Sequence, residues 1–227
     1  MTDGILDQPA KYERAKTAER TRRGKLRKAR EGKVIAGGTA NYGFRYNTAR
    51  DGYEVDETAM SVVRRVFRMV GAEGASLHVV KRTLERVRVP APKGGPYWNR
   101  SFLRSVILED VYKPHTLEEV VVLVAPEVAA RLDESERHGV WWFNRSRAVV
   151  NHGRECHRTF IEKPREEWVA VPIADAGVPR EWVVAAREAI KDNYRPKSKD
   201  HRYWELTGGI LFCGECGPDS FSTRLGE

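Results

Sequence analysis

Apolar residues recur at helical spacing in the middle of the chain. From Glu57 to Ala72, Ala59, Val62, Val63, Val66, Phe67 and Val70 repeat at the three- and four-residue steps of one buried helical face. The opposite face carries Arg64, Arg65 and Arg68. After Gly74, Ser76 is placed to cap a second helix striped by Leu77, Val80, Leu84 and Val87. Pro90, Pro92, Gly94, Gly95 and Pro96 then break the chain. Asn99 is placed to cap a third helix, which turns Phe102, Leu103, Val106 and Ile107 inward and Arg100, Ser101, Arg104 and Ser105 outward.

Around this helical middle the periodicity changes. Residues 9–31 are strong helix formers whose charge is broken only by Ala10, Ala15, Ala18, Leu26 and Ala29, too few for an apolar face, so this helix is expected to lie across a partner surface or to continue an element that this chain lacks. Gly37, Gly38, Thr39, Ala40 and Asn41 follow as a flexible arm. Tyr42–Tyr46 and Tyr53–Val55 read as a hairpin around Asp51-Gly52. Val120 to Val124 forms a buried-strand candidate, and Pro126 opens a short helix. Trp141, Trp142 and Phe143 read as core, and Trp168 to Pro172 as a strand. Pro179 stands at the first turn of a helix whose Trp182, Val183, Ala186, Ala189 and Ile190 share a face. Arg195 to Arg202 reads as an exposed connector, and Leu206 to Cys216 as a strand leading into a knuckle. The expected fold class is α+β.

Composition narrows the class. With 227 residues, 41% of them hydrophobic, the chain can bury one large core or two smaller ones. No run of 18 apolar residues and no N-terminal apolar stretch occurs, so a cytoplasmic protein without a membrane span is expected. Of three cysteines, Cys213 and Cys216 form a C-x-x-C, which points to metal or redox chemistry in a reducing compartment. Redox chemistry would want a helix N-terminus in a βαβ setting, which is missing here, so half of a zinc ribbon is the better reading. His152, Cys156 and His157 stand in a polar loop without a partner pair and read as surface residues.

Charge separates the two halves. The net charge is +8, and residues 9–36 alone hold eleven lysines and arginines against three glutamates. Such a footprint suits a polyanion. The candidate phosphate contacts of this segment are Arg20, Arg22, Arg23, Lys25, Arg27, Lys28, Arg30 and Lys33, with Arg45 on the hairpin. A basic helix feeding a glycine-rich arm suits a crossing of the DNA backbone and entry into the minor groove. A helix, a tight turn, a helix, a loop and a third helix with a basic outer face read as a helix-turn-helix. Arg100, Ser101 and Arg104 are its candidate DNA contacts. A plain three-helix bundle with solvated arginines is the alternative left open.

Taken together these stretches resemble the large serine recombinases, the phage-type serine integrases, in the part after the catalytic domain. The resemblance rests on Gly38, Tyr42-Gly43-Phe44-Arg45-Tyr46, Val62-Val63-Arg64-Arg65-Val66-Phe67, Gly74, Ser76, Leu84, Val89-Pro90, Pro92 and Trp98, and on the helix running to Tyr112. It continues through Trp141 to Arg145, Glu167 to Pro172 and Leu206 to Gly217. The resemblance implies residues 1–36 as the end of a long basic helix with its arm and 37–115 as a recombinase domain. It makes residues 116–227 a second, mixed α/β DNA-binding region ending in an incomplete zinc ribbon. It also implies duplex DNA resembling an attachment site as partner, with Arg100 and Arg104 in the major groove, where arginine pairs with guanine. A dimer, or a separately supplied catalytic domain, is a further expected partner. No serine stands in the context of the family's nucleophile and only eleven residues precede Tyr12, so DNA binding without strand exchange is expected of this chain alone. A truncated or split gene, such as a prophage remnant, would give such a chain. A free-standing helix-turn-helix regulator and one half of a split integrase are the rival readings. Zinc is the one cofactor implied, and two thiolates leave an ion open to water and chelators. Metal analysis of the purified chain should therefore find far less than one zinc per molecule; full occupancy would contradict this.

Overall fold

A computed structural model describes residues 3–152 and 156–192. Cys213, Cys216, the strand expected before them and the connector at 195–202 lie outside the described residues. So do the side chains of His152, Cys156 and His157.

Helix α1 (Asp3–Arg30) ends in a left-handed turn at Gly32, which adopts φ 80°. The Gly32 N–H donates to the Ala29 carbonyl and the Lys33 N–H to the Lys28 carbonyl, each at 3.0 Å, satisfying carbonyls that the helix end would leave open. A Cβ at position 32 would press on the Val128 side chain. Ala29 is fully buried and Leu26 half-buried, so the last turns rest on the body of the molecule, whereas residues 11–18 and 20–23 stay exposed. The expected helix with no core of its own is thus corrected at its C-terminal end. Leu26 and Ala29 are too few to register as an apolar face.

Beyond the arm, β1 (Phe44–Tyr46) pairs antiparallel with β2 (Tyr53–Val55). The turn is held by Asn47, whose side-chain oxygen accepts the N–H groups of Asp51 and Gly52. The three expected helices follow. Asp56 caps α2 (Glu57–Phe67), Ser76 caps α3 (Leu77–Arg86), and Asn99 caps α4 (Arg100–Leu108) by accepting the Ser101 N–H at 2.8 Å. The tail of α2 widens into a π-helical turn over Arg68–Ala72, which periodicity does not signal. A 3₁₀ turn at Asp110–Tyr112 closes α4.

Residues 117–124 depart from expectation. They form α5 (Leu117–Val121), not a strand, with only Val120 fully buried and Val122 84% exposed. Thr116 and Glu119 make a reciprocal capping box, and that local pairing outweighs the β preference of the valines. The short α6 (Pro126–Ala129) starts at Pro126 as expected. β3 (His138–Phe143) then pairs with β6 (Val169–Ala174), and between them β4 (Ser146–His152) pairs with β5 (Cys156–Glu162), all antiparallel. Helix α7 (Arg180–Asp192) buries Val183, Ala186 and Ile190. The architecture is α+β, with seven α-helices and three two-stranded sheets among the described residues. No described helix is long and apolar enough to cross a membrane.

One hydrophobic core gathers Met60, Val63, Phe67, Leu84, Leu103 and Ile107 with Val171 and Ile173 of β6 and Val183 and Ile190 of α7. It runs without a break past residue 115. Tyr112 belongs to it, 1% exposed, with its ring stacked on Phe44 at 5.9 Å and tilted against Phe67 at 6.0 Å, and its hydroxyl donates to the Tyr42 carbonyl at 2.7 Å. The π-helical turn meets α7 where Gly71 faces the Trp182 backbone, and a Cβ at position 71 would collide with the Trp182 carbonyl. Gly71→Ala should therefore destabilise the protein by about 2 kcal/mol through overpacking. Urea unfolding followed by circular dichroism checks this, and an unchanged midpoint would contradict it.

Candidate nucleic-acid interface

The cations of α1 are not scattered evenly in effect. Lys16, Arg20, Arg23, Arg27 and Arg30 recur at alternating steps of four and three residues, which stacks them in one stripe about 21 Å long on an α-helix. Arg22 and Lys25 point the other way, with Ala29, toward the flank where the helix meets the body. Arg22 lines a cleft of about 680 Å³ beside Asn144, Arg147 and Lys163. Lys25 lines another of about 370 Å³ beside the arm residues Gly37, Gly38 and Thr39, with Trp141 and Phe143.

The charges on α1 differ in how free they are. Glu19 accepts from Arg22 Nε at 2.9 Å and from Arg23 Nε at 2.7 Å, and these bonds hold its carboxyl down at about 2. Arg27 approaches Glu31 at 3.5 Å, and Lys33 approaches Asp51 at 3.8 Å. All four pairs are solvent-exposed, so each contributes little and yields readily to a phosphate. Arg20, Lys25, Lys28 and Arg30 are exposed and make no ion pair among the described residues. Arg45 is exposed on β1 but is held by Glu54 across the hairpin at 3.2 Å.

The arm joins α1 to α4. Thr39, Ala40 and Asn41 line a cleft of about 530 Å³ with Lys93 and with Phe102 and Ser105 of α4. On α4 itself Leu103 and Ile107 are fully buried, while Arg100, Ser101 and Arg104 are exposed, and neither arginine has an ion-pair partner among the described residues. The N-terminal half of α4 thus presents two free guanidinium groups beside the capping residue Asn99.

The far end of α4 is clamped. Arg187 of α7 donates from Nε to the Ile107 carbonyl at 3.0 Å, from Nη2 to Glu109 O at 3.0 Å, and from Nη1 to Asp110 at 2.9 Å. Trp142 Nε1 donates to the other Asp110 oxygen at 2.7 Å. Arg145 donates to both Glu109 oxygens at 2.9 Å. The guanidinium of Arg165 lies 3.9 Å from the Trp142 ring and 4.3 Å from that of Trp168, a cation–π stack beside the same residues. The tryptophan cluster is therefore part of the scaffold, with an arginine interleave that sequence spacing did not reveal because Arg165 comes from another segment.

Sequence reasoning missed Lys16 as part of the stripe and Arg147 as part of the α1 cleft. The heptad-like recurrence of cations from Lys16 to Arg30 was a readable signal for the first; nothing in the sequence links Arg147 to α1.

No protein-family model matches this chain, and no solved structure matches it. A Bacillus subtilis (strain 168) protein described as "Putative DNA recombinase" is 23% identical over 217 residues, which covers 92% of this chain. The chain spans 38% of that relative's length. The likeness is thus to part of that protein.

Acid should loosen the clamp. Burial alone would raise the Asp110 carboxyl, but the Trp142 N–H and the Arg187 guanidinium outweigh it and hold the group below its ordinary value. A carboxyl depressed in the folded state contributes stability above the ordinary range, about 4, that is lost as pH falls through the folded value. Glu119, held at about 2 by Arg180, acts in the same direction. Burial, with Lys113 nearby, lowers His115, so its contribution begins to fade below about 6.5. Urea midpoints should therefore decline on acidification, and Asp110→Asn should be less stable at pH 7 with a shallower decline below pH 4. A variant as acid-sensitive as the parent would contradict the role of Asp110.

Proposed function

We propose that this chain binds double-stranded DNA as the DNA-binding part of a large serine recombinase, and that it does not exchange strands by itself. The observation that carries the reading is the exposure of the cations. Five of them form a stripe on α1, the glycine-rich arm that follows α1 in the chain lines a cleft with α4, and Arg100 and Arg104 on α4 are exposed with no ion-pair partner among the described residues. In this reading α1 crosses the phosphate backbone, the arm follows a groove, and α4 lies in the major groove with its N-terminal end toward the bases. The likeness to part of the Bacillus subtilis protein described as a putative DNA recombinase supports the recombination setting.

A gel shift with a mixed-sequence duplex across a salt series tests it. Five phosphate contacts predict a slope near about −4.5 in log affinity against log salt. Replacing Arg20, Arg23, Arg27 and Arg30 by glutamine should flatten that slope by about one unit per residue, whereas Arg100→Ala and Arg104→Ala should each cost about 1–3 kcal/mol on a preferred sequence and relax its base preference. No binding at low salt, a flat salt response, or nicking of the duplex by this chain alone would overturn the reading.

A further inference from the structure

A second basic surface lies on α2. Ser61, Arg64, Arg65 and Arg68 wall a cleft of about 560 Å³ and are faced across it by Gly177 and Trp182. Ala59 of the same helix lines the cleft between the arm and α4. Arg68 follows Ala59 by about two and a half helical turns, which places it half a revolution away. The two clefts therefore open on opposite faces of α2, and a duplex seated on the arm and α4 lies on the far side from these arginines.

The cleft is built from fixed parts. Arg64 Nε donates to the Ala176 carbonyl at 2.8 Å, which sets the plane of its guanidinium. Gly177 adopts φ 65°, and a Cβ there would come within 3.0 Å of Arg64 Nη2, so the turn packs closely on the arginine. The Trp182 backbone rests on Gly71 of the π-helical turn. The charges are open to a partner. Arg65 is half-buried and makes no ion pair among the described residues. Arg64 pairs with Glu57 at 2.8 Å and Arg68 with Glu73 at 3.0 Å, but both carboxylates are exposed, so these pairs contribute little and exchange readily.

We infer that this cleft docks an acidic segment of a partner protein, whose carboxylates engage Arg65 and Arg64 while an apolar side chain covers Trp182. The inference goes beyond duplex binding and does not depend on it. Charge complementarity favours this occupant, because a guanidinium takes a carboxylate through two parallel hydrogen bonds. Size favours a chain over a lone ion. From Ser61 to Arg68 the wall runs about 10.5 Å at the rise of an α-helix, the length of about three extended residues. An inorganic oxyanion would leave Trp182 and most of that length uncovered.

The test follows the Trp182 indole N–H by NMR in the full, isotope-labelled chain, with Arg20, Arg23, Arg27 and Arg30 replaced by glutamine so that α1 does not compete. The probe is the end-blocked peptide Glu-Glu-Leu-Glu. It should shift that resonance saturably, and adding Arg65→Gln should weaken its binding about tenfold, the cost of losing one charged hydrogen-bonding partner. In the otherwise parental chain, Arg65→Gln should leave duplex affinity unchanged. An unmoved Trp182 resonance, or unweakened peptide binding by Arg65→Gln, would overturn the inference. Equal shifts from inorganic phosphate at the same concentration would overturn it in favour of a small-anion pocket. The same shift from the mixed-sequence duplex, or from raising the protein concentration without probe, would overturn it in favour of DNA or of a second copy. A parent chain that ignores DNA while Trp182 responds to the peptide would overturn the proposed function and uphold this inference.

Discussion

One guanidinium fixes the geometry on which the candidate interface depends. Arg187, contributed by the last described helix, satisfies carbonyls at the end of α4 and pairs with Asp110 just beyond it. A helix end buried without donors would be costly. Through Asp110 the same contact reaches Trp142 of β3, and through Glu109 the neighbouring pair reaches Arg145 just before β4. Helix α4, the sheets and α7 are thereby set relative to one another by charge-assisted bonds that are partly shielded from water, where such bonds are stronger than on the surface. The exposed arginines at the other end of α4 inherit their position from this clamp.

The distribution of charge follows a division of labour. Arginines that hold the fold, Arg145, Arg180 and Arg187, each have a carboxylate partner from a distant segment. Among the described residues, those on α1 and on the outer face of α4 have either no such partner or a local, exposed one. A guanidinium already satisfied within the fold has little to offer a phosphate, whereas an exposed one gains by the contact.

Much of the fold was legible locally. Ser76, Asn99 and Pro126 marked helix starts that the structure realises, because capping and proline signals act within a few residues. The apolar stripes of α4 and α7 matched what is buried, whereas Val87 of the expected α3 stripe is 47% exposed and the fully buried Met60 stood outside the stripe expected for α2. The valines at 120–124 misled because residue preference favoured a strand while the Thr116 capping box, a contact between specific side chains, favoured a helix. The clamp of Arg187 on residues 107–110 was illegible, since nothing in spacing joins positions about eighty residues apart. For the interface, the type and exposure of the α1 and α4 residues could be read, but not that the arm lines one cleft with Lys25 and another with Ser105.

The central claim is that α1, the arm and the N-terminal end of α4 form one surface for duplex DNA. Amide hydrogen exchange of the full chain with and without a mixed-sequence duplex tests it most directly, because it reports each segment separately. The account predicts slowed exchange in residues 16–30, in 37–41 and at the start of α4, with α5 and α6 unchanged. Exchange left unaltered in those three segments at saturating DNA, or slowed only around α5 and α6, would contradict it.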